Sequence, residues 1–316
     1  MTTLITGAGL IGTAYAKEAA KRGERTIFID PYPRDDYLSM RLGDKKYELI
    51  RDDVRSLPAL IHAINKHRPE TLLHTAGLIG KRVADPMHTG YDLNVSGMLS
   101  VVEAVRLTGI KRLVQLSTFG VYDWRLGDHK TKISETFPRG SGAAYSNSKA
   151  AQELIVEAYR IQYGFEAVIL RPGNVFGMGH FWGGSGGGEK VHSLIKAGVL
   201  GTKAVIPEEQ TMAFEYVYAD DMGRAVDMAI TKQGLPADAA YNLSWGRAIT
   251  FDELVKAVRT SLPELTLEIK PGTPPISRMT ALDTRRAKEE LSWEPAYTLE
   301  ESLAAYASEY RRFISQ

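Results

Sequence analysis

Short apolar runs alternate with longer amphipathic stretches through the first half of the chain. An apolar run at residues 2–6 is followed by a helical pattern over 10–22 and by a second run over 26–29. Further strand-like runs and helical patterns alternate at 47–50, 57–66, 71–74, 92–108, 112–117, 144–163 and 166–170. Because parallel strands need helical crossovers, this alternation predicts an α/β fold with a doubly wound parallel sheet covered by helices on both faces.

The regular alternation fades after residue 171. Segment 179–188 is too glycine-rich for a regular element and is predicted as a loop, either a lid over substrate or a surface loop without function. Prolines near 271–275 and a last amphipathic helix from Leu299 indicate a second, smaller α/β unit. The predicted domains are a larger one over 1–171, with a returning segment near 214–243, and a substrate-binding one over 172–213 and 244–316.

Composition narrows the possible functions. Lys and Arg number 39 against 38 Asp and Glu, and no basic run concentrates this charge, so nucleic-acid binding is not expected. The chain has no cysteine, which excludes disulfides, thiolate nucleophiles and Cys-ligated metals. Histidine spacing predicts no metal site. Without an apolar run of about 18 residues or a leader-like start, we expect a cytoplasmic protein with no membrane partner.

A glycine-rich turn separates the first strand from the first helix. Its residues are Gly7, Ala8, Gly9, Leu10, Ile11 and Gly12. In this pattern the first glycine permits the tight turn, the second admits a pyrophosphate to the backbone, and the third allows close helix packing. Such turns are common without ligands, but here the required strand precedes and the required helix follows. We therefore predict dinucleotide binding, with the phosphates at the helix N-terminus.

The acidic residue that ends the second strand bears on the choice of dinucleotide. Asp30 lies about twenty residues beyond the turn, where a carboxylate accepts both ribose hydroxyls and repels a 2′-phosphate. NAD is therefore predicted rather than NADP, although the nearby Arg34 weakens this preference.

Three polar residues form a candidate catalytic group. Tyr145 and Lys149 are four residues apart and share one helix face, while Thr118 ends the preceding strand, where ligands bind in parallel sheets. A phenol is a poor base at neutral pH, and we expect the ammonium and a bound nicotinamide to lower its pKa. Tyr145 would then exchange a proton with a substrate hydroxyl during hydride transfer. Each feature alone is also typical of a solvated helix face or a turn.

Together these motifs resemble the extended short-chain dehydrogenase/reductases, the NAD-dependent epimerase/dehydratase group, along nearly the whole chain. The matching stretches are 6–12, 52–55, 74–78, 91–97, 116–122, 145–149, 170–177, 216–221, 282–285 and 293–295. The resemblance implies a Rossmann-type sheet, NAD as cofactor and an enzyme of carbohydrate metabolism. It also implies a homodimer, because the helices that begin near Tyr91 and Tyr145 often pair with their mates in a four-helix bundle.

The resemblance assigns roles by position. The residues it places at NAD, beyond Gly7, Gly9, Leu10, Ile11, Gly12 and Asp30, are Asp53, Val54, Thr75, Ala76, Gly77, Asn94, Ser117, Tyr145, Lys149, Pro172, Gly173 and Val175. The residues expected at the substrate are Leu78, Thr118, Phe119, Asn174 and, from its place in the glycine-rich segment, His180.

Departures from the family pattern concern the reaction. The glycine turn is one residue shorter than usual. Phe119 and Gly120 stand where the sugar dehydratases carry Asp and Glu, which argues against a 4,6-dehydratase. Phe214 stands where many nucleotide-sugar enzymes carry an arginine, and the absence of that arginine weakens phosphate recognition. Arg278 could replace that charge, bind a carboxylate or form a surface ion pair.

The sequence therefore predicts an NAD-dependent oxidoreductase that interconverts a secondary alcohol and a ketone on a small sugar- or polyol-like molecule. The alternative is a nucleotide-sugar epimerase with tightly bound NAD. A non-catalytic NAD-binding protein is a third possibility, disfavoured because Tyr145 and Lys149 are both present.

Overall fold

The computed structural model describes residues 1–43, 47–128, 130–179, 185–273 and 280–315. The strands within these residues are β1 (Thr2–Thr6), β2 (Arg25–Ile29), β3 (Tyr47–Ile50), β4 (Thr71–His74), β5 (Arg112–Leu116), β6 (Glu166–Pro172), β7 (Asn174–Phe176), β8 (Lys203–Pro207), β9 (Phe214–Tyr218), β10 (Ala240–Leu243), β11 (Ala248–Ile249) and β12 (Thr266–Lys270). The α-helices are α1 (Leu10–Lys21), α2 (Asp35–Leu42), α3 (Leu57–His67), α4 (Lys81–Ala84), α5 (Met87–Tyr91), α6 (Gly97–Thr108), α7 (Ala144–Tyr163), α8 (Gly186–Leu200), α9 (Ala219–Thr231), α10 (Phe251–Ser261) and α11 (Leu299–Ile314). One π-helical turn, Asp92–Ser96, leads into α6.

Seven of the described strands form one parallel sheet in the order β10-β6-β5-β4-β1-β2-β3. The chain winds outward from β1 in both directions, which confirms the predicted doubly wound fold. Thr6 is in register with Ile29 on one side and with His74 on the other. The carboxyl ends of β1, β2 and β4 therefore meet at one edge, beside the switch point where such sheets bind ligands.

Helices cover both faces of this sheet because its strands are apolar on both sides. Leu4 and Ile5 are successive residues of β1 and both are fully buried, yet they belong to different cores. Ile5 packs in the core that includes Tyr15 of α1 and Met222 of α9. Leu4 packs in the core that includes Val101 of α6. This two-sided burial is the reason for the continuous apolar runs in the sequence.

A smaller unit lies beyond β6. Within the described residues it contains a sheet of β11, β9 and β7 and a parallel pair of β12 and β8. Phe176, Tyr216 and Tyr218 lie in its core. The returning segment divides between the units: β9 pairs with β7, whereas α9 packs on α1 and β10 joins the main sheet beside β6. The domain boundaries set from the sequence stay a prediction.

The glycine-rich segment is helical at its end, which corrects the loop predicted over 179–188. Gly186 begins α8, and the Ser185 hydroxyl accepts a hydrogen bond from Gly188 N at 3.1 Å, as an N-cap does. Glycine at position 187 allows close packing, since an added Cβ would lie 2.6 Å from the Asn174 side chain. Capping and packing outweigh the low helix propensity of glycine here. Residues 180–184, with His180, lie outside the described residues.

None of the helices in the described ranges combines the length and the apolar character that a bilayer span requires.

Candidate active site

A cavity of about 790 Å³ opens at the carboxyl edge of the main sheet. The residues predicted at NAD that line it are Gly7, Gly9, Leu10, Ile11, Asp30, Asp53, Val54, Thr75, Ala76, Gly77, Ser117, Tyr145, Pro172, Gly173 and Val175. The residues predicted at the substrate that line it are Leu78, Thr118, Phe119 and Asn174. Gly12, Asn94 and Lys149 are not part of this lining. The structure thus brings widely separated segments of the chain to one cavity.

The glycine turn is shaped as a cradle for a dinucleotide. Gly7 has a φ of +92°, and an added Cβ would lie 2.9 Å from Thr75 Oγ1. At Gly9 an added Cβ would meet nothing within 4 Å, so the backbone is open to the cavity. Gly12 packs close to the turn, where an added Cβ would lie 2.5 Å from the Gly7 carbonyl oxygen. Gly9 is the N-cap of α1 and offers its first-turn amides no side chain, which suits a pyrophosphate.

Asp30 lines the cavity beside the glycine turn, where the ribose is predicted. One carboxylate oxygen accepts a hydrogen bond from Ala8 N at 2.9 Å, and the other accepts one from Tyr32 N at 2.8 Å. These contacts fix a negative charge beside the glycine turn. Arg34 pairs with Asp36 and lies over the Phe313 ring at 5.6 Å, so its charge is directed to other groups. A cofactor without a 2′-phosphate fits this arrangement.

Thr118 and Tyr145 both line the part of the cavity where the nicotinamide is predicted. Thr118 follows β5, and Tyr145 is the second residue of α7. Burial raises the pKa of Tyr145 to about 12, with the Thr118 hydrogen bond acting in the opposite direction. The expectation that the Lys149 ammonium and a bound nicotinamide together lower this pKa stays a prediction; in the protein alone, burial outweighs the groups that stabilise the phenolate.

Lys149 is held by two acceptors. Its Nζ donates to the Leu116 carbonyl oxygen at 2.9 Å and to Gln152 Oε1 at 3.0 Å. The Gln152 amide in turn donates to the Asn94 carbonyl oxygen at 2.6 Å. Burial lowers the pKa of Lys149 to about 8, and the charge of Glu153 opposes that effect. Gly77 lies between this ammonium and the cavity, since an added Cβ there would be 3.8 Å from Nζ.

Asn94 links the loop after β4 to α7. Its Oδ1 accepts from Leu78 N at 2.8 Å, and its Nδ2 donates to the Leu78 carbonyl oxygen at 3.1 Å and to Ser148 Oγ at 2.9 Å. Asn94 itself lies in the π-helical turn that leads into α6. It therefore connects this turn, the loop after β4 and α7.

The model of the NAD-dependent epimerase/dehydratase family matches residues 3–244. The chain belongs to this family. It is 28% identical to a UDP-glucose 4-epimerase of Mycolicibacterium smegmatis, over 98% of this chain and 99% of that protein. It is 26% identical to a dTDP-glucose 4,6-dehydratase of Xanthomonas campestris, over 96% and 91% of the two chains.

Solved structures of similar fold include a UDP-glucose 4-epimerase of Thermotoga maritima with UDP-glucose, at a TM-score of 0.85 and 24% identity over 99% of this chain and 100% of that one. A UDP-glucose 4-epimerase of Bifidobacterium longum in complex with NAD+ and UDP has a TM-score of 0.84 and 22% identity, over 99% and 98%. Membership of the family confirms that the chain is an NAD-dependent enzyme of the extended short-chain dehydrogenase/reductase type.

This family member has site residues that the motifs did not reveal. Gln152 and Glu153 follow Lys149 on α7 and are fully buried; Gln152 Oε1 accepts from Lys149 Nζ, and Glu153 Oε1 accepts from Ser117 Oγ. In the sequence they are indicated by their polar side chains on the helix that also carries Tyr145 and Lys149. Tyr37 of α2 is a further one: its hydroxyl bonds to Thr13 Oγ1 at 2.9 Å and to the Met178 carbonyl oxygen at 2.8 Å. It joins the cofactor end of the cavity to the segment before α8.

The position of the missing family arginine is aromatic and enclosed. Phe214 is half-buried, and the Lys190 ammonium lies 4.5 Å from its ring centre. Lys190 is buried and donates to the carbonyl oxygens of Gln210 and Met212 at 2.9 and 3.0 Å. This cation is therefore engaged away from the described cavity lining. Arg278 lies outside the described residues.

Proposed function

We propose that this enzyme epimerises a secondary alcohol carbon of a nucleotide sugar, with NAD retained through both half-reactions. The observation that carries the proposal is that Thr118 and Tyr145 line the same cavity as the glycine turn, which is shaped to hold a dinucleotide. The choice of an epimerase is supported by the relatives, since a UDP-glucose 4-epimerase matches along nearly the whole of both chains.

Each residue has a part in the proposed reaction. Thr118 hydrogen-bonds the reacting oxygen, and Tyr145 takes the hydroxyl proton as the carbon–hydrogen bond breaks. NAD, which the Gly7–Gly12 turn and Asp30 would hold, would supply reversible hydride chemistry at the sugar carbon. Tyr145 then gives its proton back to the carbonyl oxygen, so the net reaction is redox-neutral. Lys149 supplies a fixed positive charge that, with the nicotinamide, favours the phenolate.

Elimination of water fits this site poorly. Phe119 and Gly120 follow Thr118 and carry no acid or base. A larger residue is not easily accommodated at position 120, because an added Cβ would lie 2.9 Å from Ser146 Oγ. This supports an epimerase over a 4,6-dehydratase, although relatives of both kinds are similar to the chain.

A dehydrogenase acting on a free sugar, sugar acid or polyol is the second candidate. It is favoured by Phe214, because a ring in place of the family arginine removes a bidentate phosphate ligand. The only cationic side chains that line the described cavity are Arg34 and Arg82, and Arg34 lies at the adenosine end. Arg82 is close in sequence to Ile79 and Gly80, which also line the cavity.

Cofactor handling separates the two candidates. The purified protein is denatured and its released NAD quantified, and then UDP-sugars are incubated with it without added cofactor. We expect NAD to copurify and the 4-epimer to form with no net NADH. Stoichiometric NADH with a free sugar or polyol, and no epimer from any nucleotide sugar, would establish the dehydrogenase instead.

We also propose that two copies pair through α6 and α7. These neighbouring helices expose apolar side chains spaced seven or eight residues apart: Leu99 and Leu107 on α6, and Leu154 and Ile161 on α7. Ile161 is 73% exposed and Leu154 is 56% exposed. Exposure of several apolar side chains on one face is unfavourable in water unless a partner covers them.

Light scattering after size exclusion tests the pairing. Ile161→Glu should convert a dimer into a monomer, because a charge would be buried unpaired at the interface. Val205→Glu is the matched control, since Val205 is 51% exposed on β8 in the smaller unit and should leave the mass unchanged. A monomeric parent protein would exclude the dimer.

A further inference from the structure

A buried carboxylate lies beneath the candidate catalytic residues. Glu153 is one helical turn beyond Lys149 and two beyond Tyr145, and its side chain is 0% exposed. A buried carboxylate without partners is strongly unfavourable, so its position reflects a requirement of the surrounding groups. The acid–base scheme described above does not use it.

Both carboxylate oxygens of Glu153 are fully engaged. Oε1 accepts from Ser117 Oγ at 2.5 Å and from Arg171 Nε at 3.0 Å. Oε2 accepts from Arg171 Nη2 at 2.7 Å and from Arg139 Nη1 at 2.8 Å. These bonds come from the residue that follows β5, from β6 and from the segment before α7, and they hold the negative charge at a fixed place below Lys149.

Few charges face Lys149. On its own helix are Tyr145 and Glu153, and from β4 comes His74, which is uncharged near neutral pH because burial lowers its pKa to about 3. Arg171 of β6 and Arg139 contact Glu153 itself. The acceptors bound directly to Nζ, Leu116 O and Gln152 Oε1, are neutral. Glu153 is therefore the negative charge that opposes the desolvation of the ammonium.

We propose that Glu153 is a positioning residue that keeps Lys149 charged in its buried site, so that the ammonium supports Tyr145 through the working pH range. The inference rests on the proposed roles of Tyr145 and Lys149. A carboxylate that only tied β5, β6 and α7 together would affect folding stability and leave the titration of Lys149 unchanged.

The first test compares two carboxylates on one helix. Glu153→Gln keeps the shape and removes the charge, whereas Glu157→Gln removes the next carboxylate, which bonds to Arg139 and does not contact Lys149. The ¹³Cε signal of Lys149, assigned by its loss in Lys149→Met, is titrated in the protein as purified. We expect Glu153→Gln to lower the Lys149 pKa by about one pH unit and Glu157→Gln to leave it in place.

Activity gives a second readout. Because the protonated lysine is the supporting form, a lower pKa should move the alkaline limb of the kcat/KM profile to lower pH by the same amount. An unchanged Lys149 titration in folded Glu153→Gln would overturn the inference. The resonance reports on Lys149 without turnover, so failure to find a substrate would count against the proposed function alone.

Arg139→Gln provides a variant at a more tolerant position, since the Arg139 side chain is 25% exposed. Removing this partner leaves the Glu153 charge less compensated, and the Lys149 pKa should rise. If Glu153→Gln does not fold, an unchanged Lys149 titration in Arg139→Gln would overturn the inference.

Discussion

The two ends of the cavity are built differently. At the cofactor end, backbone forms the surface: Gly7, Gly9 and Gly12 create the cradle, and main-chain amides of Ala8 and Tyr32 fix the Asp30 carboxylate. At the catalytic end, side chains hold other side chains, as Gln152 holds Lys149 and Ser117 holds Glu153. The first end depends on conformation and the second on a network of buried charges and hydrogen bonds, so the two should respond differently to substitution.

Removal of the phenolic hydroxyl should have the largest effect. Tyr145→Phe leaves the ring and the glycine cradle in place and removes the group that exchanges the proton. We expect kcat to fall by roughly 10³-fold, the typical contribution of general acid–base catalysis. NAD affinity should stay within about twofold by calorimetry, because a hydroxyl-only change leaves the backbone of the cofactor end intact.

The matched control for that variant is Tyr163→Phe, at the exposed end of the same helix. It should retain full turnover. If Tyr145→Phe kept the activity of the parent protein, Tyr145 would not be the acid–base group and the catalytic end would need reassignment.

At the cofactor end, in contrast, substitution is expected to weaken NAD binding. Gly7→Ala would strain a φ of +92° and place a methyl group 2.9 Å from Thr75 Oγ1. A strain of about 1–3 kcal/mol corresponds to a roughly tenfold to hundredfold loss of NAD affinity if the turn must reshape to bind. Calorimetric titration with NAD measures this loss.

Gly23→Ala is a control that strains the backbone without placing a methyl group against another residue. Gly23 also has a positive φ, +71°, but an added Cβ would meet nothing within 4 Å and the residue is not in the cavity lining. It should lower the unfolding temperature and leave NAD affinity unchanged. Equal loss of NAD affinity in both variants would show that the effect of Gly7→Ala does not depend on the geometry of the cradle.

The same contrast explains what the sequence could predict. The fold and the cofactor end follow from local patterns: apolar runs of strand length, and glycines whose spacing reflects backbone geometry. The catalytic end was predicted only as far as Thr118, Tyr145 and Lys149, and Gln152 and Glu153 were missed. Their partners come from strands and loops distant in sequence, and no local pattern encodes such a pairing.

For a related reason, helical spacing does not give the pKa of Tyr145 in the protein alone. Helical spacing brings a tyrosine and a lysine to one face, but it does not say how far burial opposes ionisation of the phenol. In the structure the Lys149 ammonium is bound to Leu116 O and Gln152, and burial of Tyr145 prevails. Spacing predicts proximity, whereas pKa values depend on the whole surrounding volume.

The smallest expected effect lies in the sheet below the catalytic end. His74 of β4 is buried, shares a 2.8 Å hydrogen bond with Thr6 Oγ1 through Nδ1, and has no partner at Nε2 among the described residues. Burial lowers its pKa from 6.5 to about 3. As the pH falls below 6.5 the unfolded chain takes up a proton at this residue and the folded chain does not, so stability decreases until about pH 3.

His74→Gln should remove this source of acid sensitivity while keeping a polar side chain next to Thr6. The free energy of unfolding, measured by urea titration, should fall less steeply in the variant as the pH is lowered from 6 to 4. The difference between the two slopes should be about 1.4 kcal/mol per pH unit, the value for one proton. Comparing the slopes of the two proteins cancels the carboxylates that titrate in both. Parallel slopes would mean that His74 is protonated in the folded chain, in which case a positive charge would lie in the sheet beneath Lys149 and the electrostatics assigned to the catalytic end would have to include it.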